Sequence, residues 1–248
     1  MLTLGCILGS GTIAWAEGET ADAAAKIKVA CVGDSLTEGY TSTGANSGKK
    51  GPNAYPARLQ SLLGSGYEVK NFGETGAFLM EGQVIHIKAV QNTNKVKLNN
   101  ADIVIIMLGT NDSKNWNEEN YKTQMTAFYN EYKTEDNKVI FATSPKCYQT
   151  TGNDITQEKV EKVYQAQKAL IKENAAWDFI DMYEKTEGKE NLYNTDKVHF
   201  TDAGYLYIAE CMYEKITGKK APIEEKVENS AYTAERRNNY FTFAEGNG

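Results

Sequence analysis

Asp102-Ile103-Val104-Ile105-Ile106-Met107-Leu108 is apolar almost throughout and breaks off at Gly109. A strand with one face in water alternates polar and apolar residues. A run without alternation is covered on both faces, as in the middle of a parallel sheet. Working outward, residues 27–32, 67–72, 138–143 and 177–181 read as four further strands. Helical spacing of apolar residues falls between them. Residues 53–63 place Leu59, Leu62 and Leu63 on one side, and 118–132 place Met125, Phe128, Tyr129 and Tyr132 together. Residues 158–174 carry a stripe of Val160, Val163, Tyr164, Gln167, Leu170 and Ile171. Thr201 is placed to cap a last helix with Leu206, Ala209, Met212 or Tyr213, and Ile216 inward. Residues 82–100 fit helix and strand equally. Strands alternating with helices imply βαβ units, a parallel sheet and helices on both of its faces. Sites in such sheets form at the carboxyl ends of the strands.

The chain has 248 residues, long enough for one large domain with a substantial core. Hydrophobic residues make up 41% and charged residues 24%, and the net charge is -6. That acidity disfavours nucleic acid or an anionic membrane as the main partner. No apolar run is long enough to span a bilayer. The uncharged segment 1–16 ends in Ala14-Trp15-Ala16, a signal-peptidase pattern without a basic start. Residues 1–25 are therefore read as a truncated export signal and leader, with a cytoplasmic chain as the alternative if they are not. Residues 26–218 form the expected domain, and the Lys-, Glu- and Asn-rich 219–248 a tail or linker. Of the four cysteines, Cys31 reads as a small core residue, and whether Cys147 and Cys211 are bridged stays open.

Each polar motif follows an expected strand or opens a helix. After the first strand comes Gly33-Asp34-Ser35-Leu36, where a sharp turn can lift a serine hydroxyl at a helix start. An N-capping serine reads equally well there. After the second strand, Asn71-Phe72-Gly73-Glu74 offers a glycine N–H that a substrate can approach. After the third, Gly109-Thr110-Asn111-Asp112 offers an amide donor, with a turn-forming Asn-Asp pair as the alternative and Asp112 in a structural role. Only two histidines occur. His199 lies in Asp196-Lys197-Val198-His199, with a carboxylate three residues before it. His86, flanked by Ile85 and Ile87 and with no neighbouring carboxylate, reads as structural. A hydroxyl becomes a nucleophile when a base takes its proton, and His199 is the base on offer.

Together these four blocks resemble the GDSL or SGNH hydrolases, in family order from residue 33 to residue 199. The resemblance implies a flavodoxin-like three-layer α/β/α sandwich with about five parallel strands. It implies Ser35, His199 and Asp196 as a catalytic triad, with an oxyanion hole from the Ser35 and Gly73 N–H groups and the Asn111 side chain. No metal or organic cofactor is implied. The partner is a small-molecule or oligosaccharide ester. The family hydrolyses many esters. Trp116 and Tyr40, each five residues beyond a site block, suit a sugar ring, with ordinary packing as the alternative. Loss of a short acyl group, acetyl above all, from a saccharide is the expected reaction. A lysophospholipase or thioesterase, and a non-catalytic glycan-binding relative, are the alternatives. Oligomeric state is not legible.

Overall fold

The computed structural model describes residues 25–40, 51–83, 85–88, 100–151 and 154–222. The expected leader to residue 24, most of the polar loop 41–51, most of the ambiguous segment 82–100 and the tail from 223 lie outside the described residues.

Five strands are present: β1 Ile27–Gly33, β2 Tyr67–Gly73, β3 Ile103–Met107, β4 Lys138–Ala142 and β5 Asp178–Ile180. All pair in parallel, in the order β2-β1-β3-β4-β5. The six α-helices among the described residues are α1 Ser35–Glu38, α2 Tyr55–Leu63, α3 Glu118–Tyr132, α4 Gln157–Glu173, α5 Met182–Thr186 and α6 Asp202–Thr217. The order 2-1-3-4-5 places a topological switch between β1 and β3: the chain leaves β1 toward β2 and returns on the other side.

Alternation along β1 shows how the layers form. Ala30 and Val32 point to one face, where they join Val104, Ile106 and Phe141 of the neighbouring strands and the buried sides of α3 and α4. Val29 and Cys31 point to the other, with Ile105, Met107, Ile140, α2 and α6. Successive side chains on a strand take opposite faces. The unbroken run in β3 therefore supplies both cores at once, and Val104, Ile105 and Ile106 are fully buried. Each such side chain contributes roughly 1.5–3 kcal/mol.

Helix ends follow local chemistry. Asn117, Thr156 and Thr201 cap α3, α4 and α6 through side-chain oxygens. Pro56 sits in the first turn of α2, where its missing N–H costs nothing. Gly218 closes α6 in the left-handed region, φ 69°. Cys31, Cys147 and Cys211 are buried free thiols, so Cys147 and Cys211 are not bridged. Burial pushes Cys31 up to about 12 and Cys147 and Cys211 to about 11, which makes them inert. No described helix is long and apolar enough to cross a membrane.

Candidate active site

The register sets the floor of the site. Gly33, the last residue of β1, pairs with Gly73 on one side and Met107 on the other. Three strands thus end at one level, and the loops that leave them meet there.

Beyond Gly33 the chain turns into α1. Asp34 caps this short helix, its Oδ1 accepting from the Leu36 N–H at 2.9 Å. Ser35 is the first helical residue, so its N–H has no acceptor within the helix. Asp34 Oδ2 is buried without a hydrogen-bond partner. Burial raises the carboxyl to about 7, partly offset by the Leu36 N–H and the nearby His199.

His199 arrives from the far end of the chain. Its Nε2 lies 2.9 Å from Ser35 Oγ, although 164 residues separate the two. Its Nδ1 lies 2.7 Å from Asp196 Oδ2. The same carboxylate accepts from the main-chain N–H groups of Val198 at 3.0 Å and His199 at 2.9 Å. Burial pushes the Asp196 carboxyl up, but the His199 ring and the two N–H groups more than offset this and hold it at about 2. Lys197 makes the turn possible. With φ 59° it is the one non-glycine residue in the left-handed region among those described. Its carbonyl accepts from the Tyr148 N–H at 2.9 Å. Residues other than glycine take that conformation at a cost, and such costs gather at functional sites.

Asn111 is delivered by the turn after β3. Gly109 has φ 135°, and a Cβ there would lie 2.6 Å from Ser144 Oγ and 2.9 Å from Gln167 Nε2. Gln167, fully buried on α4, donates to the Leu108 carbonyl at 3.0 Å and accepts from the Ser144 N–H at 2.9 Å, fixing that turn. One hydrogen of the Asn111 amide goes to the Ala77 carbonyl at 3.1 Å. Asp112 takes a structural part: its carboxylate accepts from the Leu79 and Met80 N–H groups at 3.0 and 2.8 Å. Burial raises it to about 6, against the pull of those N–H groups.

Gly73 differs from the sequence expectation. Its N–H is not free but donates to Asn71 Oδ1 at 2.9 Å. The Asn71 side chain folds back because its amide also caps the end of α1, donating to the Thr37 and Glu38 carbonyls at 3.0 and 3.3 Å. To serve an oxyanion, the Gly73 N–H must share or exchange that acceptor. The glycine itself is required by a close approach, since a Cβ there would stand 2.2 Å from the Glu38 nitrogen.

The two aromatics expected near a sugar are both occupied by protein. Trp116 packs against Tyr121, centroids 5.3 Å apart. Tyr40 lies on the His199 ring at 4.6 Å. His86 Nε2 lies 2.9 Å from the Leu79 carbonyl. Beside His199 and Asp196 opens a cleft of about 660 Å³, lined also by Lys114, Gln149, Asp154, Ile155 and Val198. Sequence pattern did not single out Gln149 or Asp154, because loop residues reach a cleft without any periodicity. Among the described residues no group of three or more His, Cys, Asp or Glu side chains is placed to hold a metal.

The model of the GDSL-like lipase/acylhydrolase family matches residues 29–212. The chain belongs to that family. An acetylxylan esterase of Xylanibacter ruminicola is 39% identical over 93 residues, 36% of this chain. The match spans 18% of that relative's length. Among solved structures, an aryl esterase of M. smegmatis superposes with a TM-score of 0.60 at 21% identity, covering 78% of this chain and 99% of that one. Est24, a carbohydrate acetylesterase from Sinorhizobium meliloti, gives 0.62 at 18% identity over 78% and 99%. At that identity these two likenesses establish the fold, the five-stranded α/β sandwich of GDSL esterases.

Proposed function

We propose that this GDSL-family chain is a serine esterase that removes short acyl groups, acetyl above all, from a carbohydrate. The observation that carries it is the hydrogen-bonded series from Ser35 Oγ through the His199 ring to Asp196, at 2.9 and 2.7 Å. Ser35 Oγ attacks the ester carbonyl while His199 Nε2 takes its proton. Asp196, ionised at neutral pH, fixes the tautomer and stabilises the imidazolium. The tetrahedral oxyanion draws on the Ser35 N–H, the Asn111 amide and a Gly73 N–H shared with Asn71. His199 then protonates the leaving alcohol, and water repeats the sequence on the acyl-enzyme.

A small acyl group and a hydroxylated alcohol suit the cleft. Lys114, Gln149 and Asp154 offer hydrogen bonds to sugar hydroxyls, and among the described residues Ile155 and Val198 are its apolar lining. The acetylxylan esterase relative and the carbohydrate acetylesterase neighbour support the same substrate class. Export, consistent with a polysaccharide substrate, rests on the leader outside the described residues.

A series of p-nitrophenyl esters tests the acyl half, and acetylated xylan tests the alcohol half. Activity should be highest at two carbons and decline by eight. A maximum at long chains would make the protein a lysophospholipase or thioesterase instead. An organophosphonate should label the parent chain and not Ser35→Ala; labelling that survives the substitution removes Ser35 as nucleophile.

A further inference from the structure

Tyr40 is held by main-chain bonds on both sides. Its N–H donates to the Ser35 carbonyl at 2.9 Å, and its own carbonyl accepts from the Tyr205 hydroxyl at 2.6 Å. Tyr205 is fully buried on α6, the helix that follows His199 directly. The residue is thus tied both to the nucleophile and to the element that carries the base. Between those ties its ring rests on the His199 imidazole, centroids 4.6 Å apart and planes at 54°.

The two hydrogen bonds of the imidazole, to Ser35 and Asp196, are made at its two ring nitrogens, whose N–H and lone pair point outward along the ring edge. They fix its edges and leave its faces unrestrained. We infer that Tyr40 is a positioning residue for the base: its ring holds the imidazole in line with Ser35 and stabilises the positive charge that His199 gains in the transition state. An aromatic face within about 6 Å attracts such a cation, more strongly as water is excluded. This rests on the esterase reading, in which His199 is the base.

The charged and titratable groups around that imidazole come from four elements. Asp196 comes from its own loop, and Asp34 and Ser35 from the turn after β1. Lys114, from the turn after β3, and Asp154, from the loop before α4, line the same cleft. All of them persist when Tyr40 is changed, so a shift in the His199 titration reports on the aromatic ring.

The test compares the full chain with Tyr40→Phe and Tyr40→Leu. On p-nitrophenyl acetate, Tyr40→Leu should lose about tenfold in kcat with KM within about twofold. Its acid limb in kcat/KM should move to lower pH by about half a unit, because the imidazolium has lost a stabilising face. Tyr40→Phe keeps the face and should restore most of the loss. A second readout needs no substrate. The sequence has two histidines, so the His199 ring resonance is assigned by comparison with His86→Asn and titrated by NMR in each variant. It should shift down in Tyr40→Leu, and in Tyr40→Met should the leucine variant not fold. An unmoved His199 titration overturns the proposal. So does a Tyr40→Phe loss as large as that of Tyr40→Leu, or a Tyr40→Leu effect confined to KM. Absence of turnover in the parent chain would count against the esterase reading alone, since the NMR titration tests the ring contact separately.

Discussion

Asp34 and Asp196 are both carboxylates near Ser35, and their surroundings drive them in opposite directions. Asp34 is held up at about 7 by burial, so the folded state favours its proton. Its contribution to stability is complete below the ordinary carboxylate value of 3.8 and is lost as pH rises through about 7. Asp196, held down at about 2, behaves in reverse: its contribution is present above 3.8 and lost as pH falls through about 2. Urea midpoints of the parent chain should therefore fall between pH 4 and 7. Asp34→Asn should flatten that fall without abolishing it, because Asp112 titrates in the same direction near 6. Equal slopes in the two chains would show that Asp34 does not bind its proton more tightly when folded. For Asn111, the expectation is kinetic. Asn111→Ala should lower kcat by about 10²–10³ and leave the circular dichroism spectrum unchanged. An unaltered kcat would remove the amide from oxyanion stabilisation.

Strands were the most legible elements, because burial on both faces writes itself into composition. The run at 103–107 needs no partner to be recognised. Helix α6 was legible from Thr201 and its apolar spacing, and its cap and buried Leu206, Ala209 and Met212 follow that pattern. What pattern could not supply was the fate of polar atoms that depend on a distant segment. Asn71 reads as an ordinary strand residue, yet its side chain takes the Gly73 N–H because α1 ends just above it. Gln167 gave a faint signal as the polar member of an apolar stripe. Its partner, the Leu108 carbonyl, is 59 residues away. The Leu108–Asn111 turn leans on that amide and on the lack of a side chain at Gly109, where the surroundings leave no room for one. Gly109→Ala should cost roughly 2–4 kcal/mol, since it combines an unfavourable φ with a forced displacement of Ser144 or Gln167. Thermal denaturation measures the cost. A melting temperature within a degree of the parent's would mean that the turn relaxes freely.

At the scale of the whole molecule, the sheet order turns four separate sequence blocks into one locus. Their order along the chain was legible. That Ser35 and His199 lie within a hydrogen bond of each other is a property of the strand order and of α6 packing against α2 over a core shared with β1, which no local pattern encodes. The same packing buries Cys31 and Cys211 in one layer, while Cys147 lies in a smaller cluster near α4 and α5. In a Cys6→Ser background, an aromatic disulfide reagent should leave the native chain unlabelled over minutes and take up three equivalents in guanidinium. Only one equivalent on unfolding would reveal a bridge. The 164-residue span between hydroxyl and imidazole also bears on biosynthesis. A nascent polypeptide can complete β1, β2 and β3 at the ribosome and still lack His199, the proposed base. On the proposed esterase mechanism, chemistry should switch on only when α6 has emerged and docked, so prematurely terminated products should be inert rather than partly active, and recovery of turnover during refolding should be a clock for the last native contacts to close.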